Sequence, residues 1–216
     1  MNVDILRMIS DARKGGEGRN FKQSVELIVS LKDIDTKKGF ALNEVVNLPN
    51  EPSKKAKVCV IASGDLALRA RKAGADRVIE GDELNTLAGK KRETKRLSKS
   101  YDFFLADTQL MPVVGKVLGA ALGPKGKMAM PLPFNAPVDS IVSRLKSSTR
   151  VKVRNQLSVA CRIGDESMSD EGLAENARTV LSAIEKKLPN GESNIAGITV
   201  KFTMGRAVRS TIKVSE

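Results

Sequence analysis

Histidine and tryptophan are absent from this chain of 216 residues, and only two cysteines occur. Without histidine, the chain has no imidazole to act as a general base near neutral pH, to activate a serine or cysteine, or to bind a metal. Cys59 and Cys161 each lie in a strand-like apolar run, which favours buried thiols over a disulfide or a zinc site. Carboxylate or lysine chemistry is left open by these absences. We predict a protein that is not an enzyme and holds no cofactor and no metal.

Aromatic residues and long apolar runs are also scarce. Aromatic side chains make up 3% of the sequence, so the aromatic platforms on which single-stranded nucleic acids stack are not predicted. No apolar run approaches the roughly 20 residues of a membrane span. The first residues, M-N-V-D-I-L-R, do not resemble a signal peptide. We therefore expect a protein that has no membrane partner and is located in the cytoplasm.

Basic residues, in contrast, are abundant. The chain has 37 Lys and Arg against 25 Asp and Glu, which gives a formal net charge of +12. A globular chain this basic usually binds a polyanion. Residues 50–148 carry a net charge of +8, whereas residues 1–49 and 149–216 carry +1 and +3. Charge alone would therefore assign RNA or DNA binding to the middle of the chain.

Two kinds of hydrophobic pattern alternate along the chain. Near both ends, apolar and polar residues alternate as in half-buried antiparallel strands, for example at Val25, Leu27, Val29 and Leu31. The middle instead has short, continuous apolar strands separated by helical stretches, which is typical of a doubly wound parallel sheet. We predict a mixed α/β and α+β protein. Its terminal α+β domain is split between residues 1–49 and 149–216 and has an antiparallel sheet, and residues 50–148 form an inserted α/β domain with a mostly parallel sheet.

Two loops in the middle domain invite comparison with nucleotide-binding motifs. A-S-G-D at 62–65 lacks two of the three glycines of a dinucleotide-binding loop, so a turn with a helix cap is predicted there. L-G-P-K-G-K-M-A-M-P at 122–131 lacks the first glycine and the Ser or Thr of a phosphate-binding P-loop. Its glycines and lysines can still contact phosphate, and a solvated turn is the alternative. The basic run at 90–99 is interpreted as a solvated helix face with at most a non-specific electrostatic role.

The last strand breaks its own pattern. From Ile198 to Met204 the even positions are apolar, and the alternation returns at Val208. Between them T-M-G-R at 203–206 places a glycine inside the strand and an arginine at an apolar position. Such a glycine indicates either a β-bulge or close approach by another backbone, and the bulge is favoured by the sequence alone.

Several segments occur together in a characteristic order: R-N-F-K-Q-S-V-E-L-I-V-S-L-K-D-I-D from residue 19, the L-P hinge at 48–49, the L-G-P-K-G-K loop and the terminal T-M-G segment. With this order, essentially the whole chain resembles the archaeal form of the L1 family of large-subunit ribosomal proteins. The resemblance implies both termini in one α+β domain and a Rossmann-like inserted domain.

The resemblance also implies partners. Members of the family bind large-subunit ribosomal RNA at a mobile stalk near the tRNA exit site, so transient contact with exit-site tRNA is expected. They also bind a mimic of that RNA in their own mRNA and repress its translation. The chain is accordingly expected on the cytoplasmic ribosome, and as a monomer when free. The alternative is a basic DNA- or RNA-binding module outside the ribosome.

The resemblance, together with the neighbouring basic residues, assigns site residues. In the terminal domain the expected RNA contacts are Arg19, Phe21, Lys22, Ser24, Glu26, Thr203, Met204, Gly205 and Arg206. In the inserted domain weaker RNA contacts are expected from Gly123, Pro124, Lys125, Gly126 and Lys127. The family usually has proline where this chain has Arg206, so the stiffness of the turn is in question and an added phosphate contact is open. With this assignment, T-M-G is expected to be an RNA-facing turn, and Gly205 small enough for another backbone to approach.

Overall fold

The computed structural model describes residues 4–16, 19–35, 40–153 and 156–211. Residue contacts divide the chain into two compact units. The terminal unit is Met1–Lys54 with Ser147–Glu216, and the inserted unit is Lys55–Lys146. In chain order, the helices and strands are α1 (Ile5–Lys14), β1 (Ser24–Leu31), β2 (Leu42–Asn47), β3 (Val58–Ile61), α2 (Gly64–Lys72), β4 (Arg77–Ile79), α3 (Gly81–Thr86), α4 (Lys91–Ser100), β5 (Phe103–Asp107), α5 (Met111–Leu122), β6 (Met130–Leu132), α6 (Val138–Lys146), β7 (Ser148–Val153), β8 (Ser158–Asp165), α7 (Asp170–Glu185), β9 (Ile195–Phe202) and β10 (Val208–Thr211).

The terminal unit is built on a four-stranded antiparallel sheet in the order β10-β9-β1-β8, with β2 and β7 forming a separate antiparallel pair. Every second residue of β1 is buried, as its alternating sequence predicts. These residues share one hydrophobic core with the buried faces of α1 and α7. The sheet therefore places the start of β1 beside the end of β9, at one edge of the core.

Local signals mark the start of α7. The Ser169 side chain caps the helix by accepting a hydrogen bond from the Gly172 N–H, and Asp170 and Glu171 lie in the first turn, where the helix dipole favours negative charge.

The inserted unit has a four-stranded sheet in the order β4-β3-β5-β6, and every pairing in it is parallel. All four residues of β3 are buried, as expected for a strand covered on both faces. Ser63 precedes α2 but its side chain makes no capping hydrogen bond, so the cap predicted at A-S-G-D is not of that kind. With antiparallel pairing in the terminal unit and parallel pairing in the inserted unit, the predicted fold class is confirmed. None of the helices in the described ranges is long and apolar enough to cross a lipid bilayer.

Two predictions about strands were wrong. The segment from 200 to 210 is not one strand with a bulge: β9 ends at Phe202, β10 begins at Val208, and the two strands pair as an antiparallel hairpin. T-M-G-R lies in the hairpin loop between them. The loop predicted over 122–131 also contains the start of a strand, because Met130 begins β6 and pairs with Leu105 of β5.

Candidate nucleic-acid interface

The hairpin loop between β9 and β10 is joined directly to the start of β1. The Ser24 N–H donates to Thr203 Oγ1 at 3.1 Å, and the Thr203 N–H donates to the Ser24 carbonyl oxygen at 3.1 Å. The Thr203 hydroxyl lies 3.2 Å from the same carbonyl oxygen and donates to it. R-N-F-K-Q-S and T-M-G-R, which are about 180 residues apart in sequence, therefore form one surface. We call it the hairpin surface and define it as Arg19, Phe21, Lys22, Ser24, Thr203, Met204, Gly205 and Arg206.

The buried side chain of Gln23 is hydrogen-bonded to the backbone of the hairpin loop. Its side chain is buried, with 1% exposure. Its Oε1 accepts a hydrogen bond from the Met204 N–H at 3.0 Å, and its Nε2 donates to the Gly16 carbonyl oxygen. Its own carbonyl oxygen accepts from the Glu166 N–H at 3.0 Å. The Gln23 side chain thus connects the loop after α1 to the hairpin loop, and its backbone carbonyl connects both to the residue that follows β8. Sequence reasoning missed this residue, although a polar residue at the core parity of β1 was a usable signal.

Gly205 is small because the protein's own backbone approaches it. A Cβ at this position would lie 3.1 Å from Phe202 Cβ and 3.3 Å from Gly16 Cα. Such separations are tighter than most packed side chains accept. The Gly205 N–H donates to the Phe202 carbonyl oxygen at 2.9 Å, which closes the turn. Within the described fold, the backbone that approaches Gly205 is that of Gly16.

Arg13 supports this corner from the last turn of α1. Its guanidinium donates to Asp170 Oδ1 at 2.8 Å and to the carbonyl oxygens of Glu166 and Met168 at 2.7 and 2.8 Å. Its Cζ lies 5.4 Å from the centroid of the Phe202 ring, within the range of a cation–π interaction. Because α1, α7 and β9 are tied together here, the hairpin loop has a firm base.

The outer side of the hairpin surface is basic and partly apolar. Phe21 is 49% exposed and Met204 is 57% exposed, although both are large hydrophobic residues. Arg19, Lys22 and Arg206 are exposed around them. This combination offers cations for phosphates and apolar groups for sugars and base faces.

The structure partly explains why arginine can stand at position 206, where the family usually has proline. Among the residues that the structure describes, the Arg206 N–H donates no hydrogen bond, so a proline here would lose none. The arginine therefore changes charge and stiffness without changing the hydrogen bonding of the turn.

Glu26 lies two positions further along β1, on the half-exposed face of the sheet. Its neighbours across the sheet are Arg162 on β8 and Lys201 on β9. A carboxylate between two cations is less repulsive towards an RNA than an isolated one. It can also accept hydrogen bonds from sugar hydroxyls.

The predicted contact loop of the inserted unit is a turn braced by its own lysines. Gly123–Lys125 form one 3-10 turn, and Gly126 has a φ of +68°, which favours glycine. The Lys125 Nζ donates to Ser98 Oγ, and the Lys127 Nζ donates to the Tyr101 carbonyl oxygen at 2.6 Å. Lys127 also lies 3.5 Å from the Asp102 carboxylate. The loop residues Gly123, Pro124, Lys125, Gly126 and Lys127 thus form a cationic turn, and Lys127 is already paired.

Both cysteines are buried. Burial raises the pKa of the Cys59 thiol to about 12, despite the opposing effect of Arg77, and raises the pKa of the Cys161 thiol to about 12, with a smaller contribution from Glu26. Thiols with so high a pKa are poor nucleophiles at neutral pH. Within the described ranges, no three His, Cys, Asp or Glu side chains are arranged to hold a metal ion.

Comparison with known proteins gives a consistent result. The model of the ribosomal protein L1p/L10e family matches residues 12–206. The large ribosomal subunit protein uL1 of Cenarchaeum symbiosum is 52% identical over 209 residues, which cover 97% of this chain and 96% of that protein. Proteins of the same name from Thermofilum pendens and Aeropyrum pernix are 51% and 47% identical, and the matches cover 91% and 95% of this chain and 87% and 94% of theirs.

Proposed function

Because the chain belongs to the ribosomal protein L1p/L10e family, we propose that it is a structural constituent of the large ribosomal subunit and binds the RNA of that subunit through the hairpin surface. Its family is one of structural ribosomal proteins, which agrees with the expectation that the chain is not an enzyme. Its place of action is accordingly the ribosome.

The observation that carries this proposal is the junction of Ser24 and Thr203. Their three hydrogen bonds bring two sequence segments into one surface, on which Met204 and Phe21 are exposed among two arginines and one lysine. Gln23 and Gly16 fix the backbone of this surface before any ligand binds, so little ordering entropy is lost on binding. A rigid, moderately charged surface can select an RNA by shape, while the more basic inserted unit adds long-range attraction.

The site within the subunit is proposed to be the RNA stalk near the tRNA exit site, with transient contact to exit-site tRNA. We also propose that the chain represses translation of its own mRNA by binding a segment of that mRNA which resembles the stalk. One RNA-binding surface suffices for both roles, since the two RNAs would present the same shape.

The test of RNA binding uses the full chain with three ligands at one salt concentration: a stalk fragment of large-subunit RNA, an RNA of the same length with shuffled sequence, and duplex DNA. We expect the stalk fragment to bind at least about a hundredfold more tightly than the other two. Equal affinity for all three would instead support a basic module outside the ribosome and overturn the proposal.

The test of repression uses cell-free translation of an mRNA that contains the start of the chain's own coding region. Added protein should inhibit translation, and an excess of the stalk fragment should restore it because both RNAs compete for one surface. Inhibition that the stalk fragment does not relieve would contradict a shared surface.

A further inference from the structure

Helix α4 in the inserted unit has one buried face and one cationic face. Thr94, Leu97 and Ser98 are buried against the unit. The remaining positions include five basic residues and one acid: Lys91, Arg92, Lys95, Arg96, Lys99 and Glu93. A solvated helix of a soluble protein usually mixes charges of both signs, because like charges four residues apart repel and destabilise it. Lys91, Lys95 and Lys99 follow that unfavourable spacing.

The protein itself does not neutralise this face. The Glu93 carboxylate lies 3.7 Å from the ammonium group of Lys90, just before the helix. Across the part of the chain that the structure describes, no carboxylate lies within 4 Å of the Lys95, Arg96 or Lys99 cationic groups. Within the described fold, the repulsion between these positive charges is therefore not offset by nearby carboxylates.

A second element adds to the same cluster. Lys125, from the turn after α5, donates to Ser98 Oγ, and Ser98 Oγ donates to the Lys95 carbonyl oxygen at 2.9 Å. Desolvation lowers the pKa of Lys125, and repulsion from Lys127, Lys99 and Lys95 lowers it further. Helix α4 and the turn after α5 thus form one surface, and its charges interact.

The lining of a groove on this surface favours a phosphate ligand. A groove of about 510 Å³ is lined by Arg92, Glu93, Lys95, Arg96, Lys99 and Ser100. Of the large hydrophobic side chains that are exposed in the described ranges, none lies on α4. Protein-binding surfaces usually have apolar or aromatic anchors, whereas a row of flexible ammonium and guanidinium groups suits phosphates.

We propose that Arg92, Lys95, Arg96 and Lys99 of α4 bind phosphates of an RNA backbone, and that they extend the RNA contact expected of Lys125 into one surface, named the α4 patch, which is separate from the hairpin surface. This inference rests on the proposed function, since it takes the ligand to be RNA. Lys127 is not part of the patch: it is paired with Asp102 and the Tyr101 carbonyl oxygen and positions the turn.

The test compares two double variants of the full chain. Lys95→Gln with Lys99→Gln removes two charges from the patch. Lys72→Gln with Lys116→Gln removes two exposed charges elsewhere in the inserted unit, so both variants have a net charge of +10 instead of +12. The measurement is the slope of log K against log salt concentration, for the stalk fragment and for the shuffled RNA.

The patch variant should lose about 1.5 units of slope, since each phosphate contact contributes roughly 0.7–0.9. That loss corresponds to a roughly 30-fold weaker association at 0.1 M salt if the lines meet at 1 M. The control variant should keep most of the original slope. Equal losses in the two variants, or no loss in the patch variant, would overturn the proposal. Lys99→Gln alone, expected to show half the loss, guards against a folding defect of the double variant.

A second measurement separates RNA from an acidic protein as the ligand. Acetylation of lysines is followed by mass spectrometry with shuffled RNA or with polyglutamate at the same concentration of charge. RNA should protect Lys95, Lys99 and Lys125 more strongly than polyglutamate, and the reverse order would overturn the proposal. Because shuffled RNA is the ligand, the result does not depend on preference for the stalk fragment. Failure of the proposed function would appear separately, as equal affinity of the unmodified chain for both RNAs.

Discussion

Met204 has an exposed side chain on a fixed backbone, which makes it a sensitive residue for RNA binding. Its side chain is 57% exposed, while its N–H is held by buried Gln23. We therefore expect Met204→Ala to change the free energy of unfolding by less than about 0.5 kcal/mol. Affinity for the stalk fragment should fall about fivefold or more, because apolar contact with the RNA is lost. Urea unfolding and RNA titration measure the two quantities.

The control for Met204 is Leu68, a hydrophobic residue with similar exposure, 54%, on α2 of the inserted unit. Leu68→Ala should change neither stability nor affinity appreciably. If the two variants bind the stalk fragment equally well, Met204 is not part of the RNA interface.

The two buried thiols make stability depend on pH in the alkaline range. Each has a pKa of about 12 in the fold against 9.0 when unperturbed, so between these values the unfolded state has released a proton that the folded state keeps. The free energy of unfolding therefore falls as pH rises through this interval, by up to about 1.4 kcal/mol per pH unit and thiol. Replacing Cys161 by Ala should make the decline between pH 9 and 11 shallower than in the parent. Parallel curves would show that Cys161 does not titrate in this way.

Gln23 and Gly205 show what the sequence pattern at a single position can predict and what it cannot. The core positions of β1 follow from alternation, and Gln23 breaks that alternation visibly, yet its partners Gly16 and Met204 come from other parts of the chain. Gly205 was noticed as an anomaly in a strand. Its cause is a backbone about 190 residues away, which no local pattern encodes.

At the scale of elements, the β9–β10 hairpin could not be predicted, because the alternation of apolar residues does not stop where β9 ends. The apolar parity of β9 continues through Met204, so the sequence does not mark the end of the strand at Phe202. Alternation reports which side a residue would face in a strand, and it carries no information on whether the strand turns. β6 was missed for a different reason: it has three residues, one of them proline, and it pairs only because β5 provides an edge. Longer elements with one buried face, such as β1 and α7, were predictable.

Gly205 gives a test of the hairpin as an element. In Gly205→Ala the new Cβ would lie 3.1 Å from Phe202 Cβ and 3.3 Å from Gly16 Cα, and the backbone of the turn must shift. Overpacking of this kind costs about 1–3 kcal/mol. We expect faster amide exchange at the end of β9 and weaker RNA binding. Gly115→Ala is the control, because a Cβ there meets nothing within 4 Å and alanine favours the helix. A neutral Gly205→Ala would mean that the loop is not held against Gly16.

At the scale of the whole molecule, the family and the fold class could be predicted. Net charge alone would place RNA binding in the inserted unit, whereas the resemblance predicts it on the hairpin surface. Net charge is a sum over the residues of a segment, whereas the hairpin surface is formed by hydrogen bonds between Ser24 and Thr203, which are far apart in sequence. The resemblance supplied that assignment, and the family it indicated is confirmed by identities of about 50% with archaeal relatives over nearly the whole chain. The assignment of RNA contacts to individual residues stays a prediction.

Residues 50–54, which lead from the terminal unit into the inserted unit, are hydrogen-bonded to the rest of the terminal unit. The Asp165 carboxylate is almost fully buried and accepts hydrogen bonds from the Ser53 N–H and hydroxyl and from Ser167. Asn176 is bonded to the N–H and the carbonyl oxygen of Asn50. Burial alone would raise the pKa of Asp165, but the hydrogen bonds from Ser167 and Ser53 outweigh it and lower the pKa. Residues 50–54 therefore stabilise the terminal unit.

This anchoring predicts a difference between two shortened proteins. One joins residues 1–54 to 147–216 through a short Gly-Ser linker, and the other joins residues 1–49 to 149–216. The first should fold and keep specific binding of the stalk fragment with a shallower salt slope, because the basic inserted unit is gone. The second removes the Ser53 donors to Asp165 and both Asn50 partners of Asn176, although Asp165 keeps Ser167 and Asn176 keeps the Ile163 carbonyl oxygen, and it should be less stable by about 2–5 kcal/mol. Urea unfolding compares their stabilities. The difference between their free energies of unfolding should narrow at low pH, because Asp165 in the first protein becomes protonated.

A folded first protein that no longer prefers the stalk fragment over shuffled RNA would show that the selective surface is not in the terminal unit.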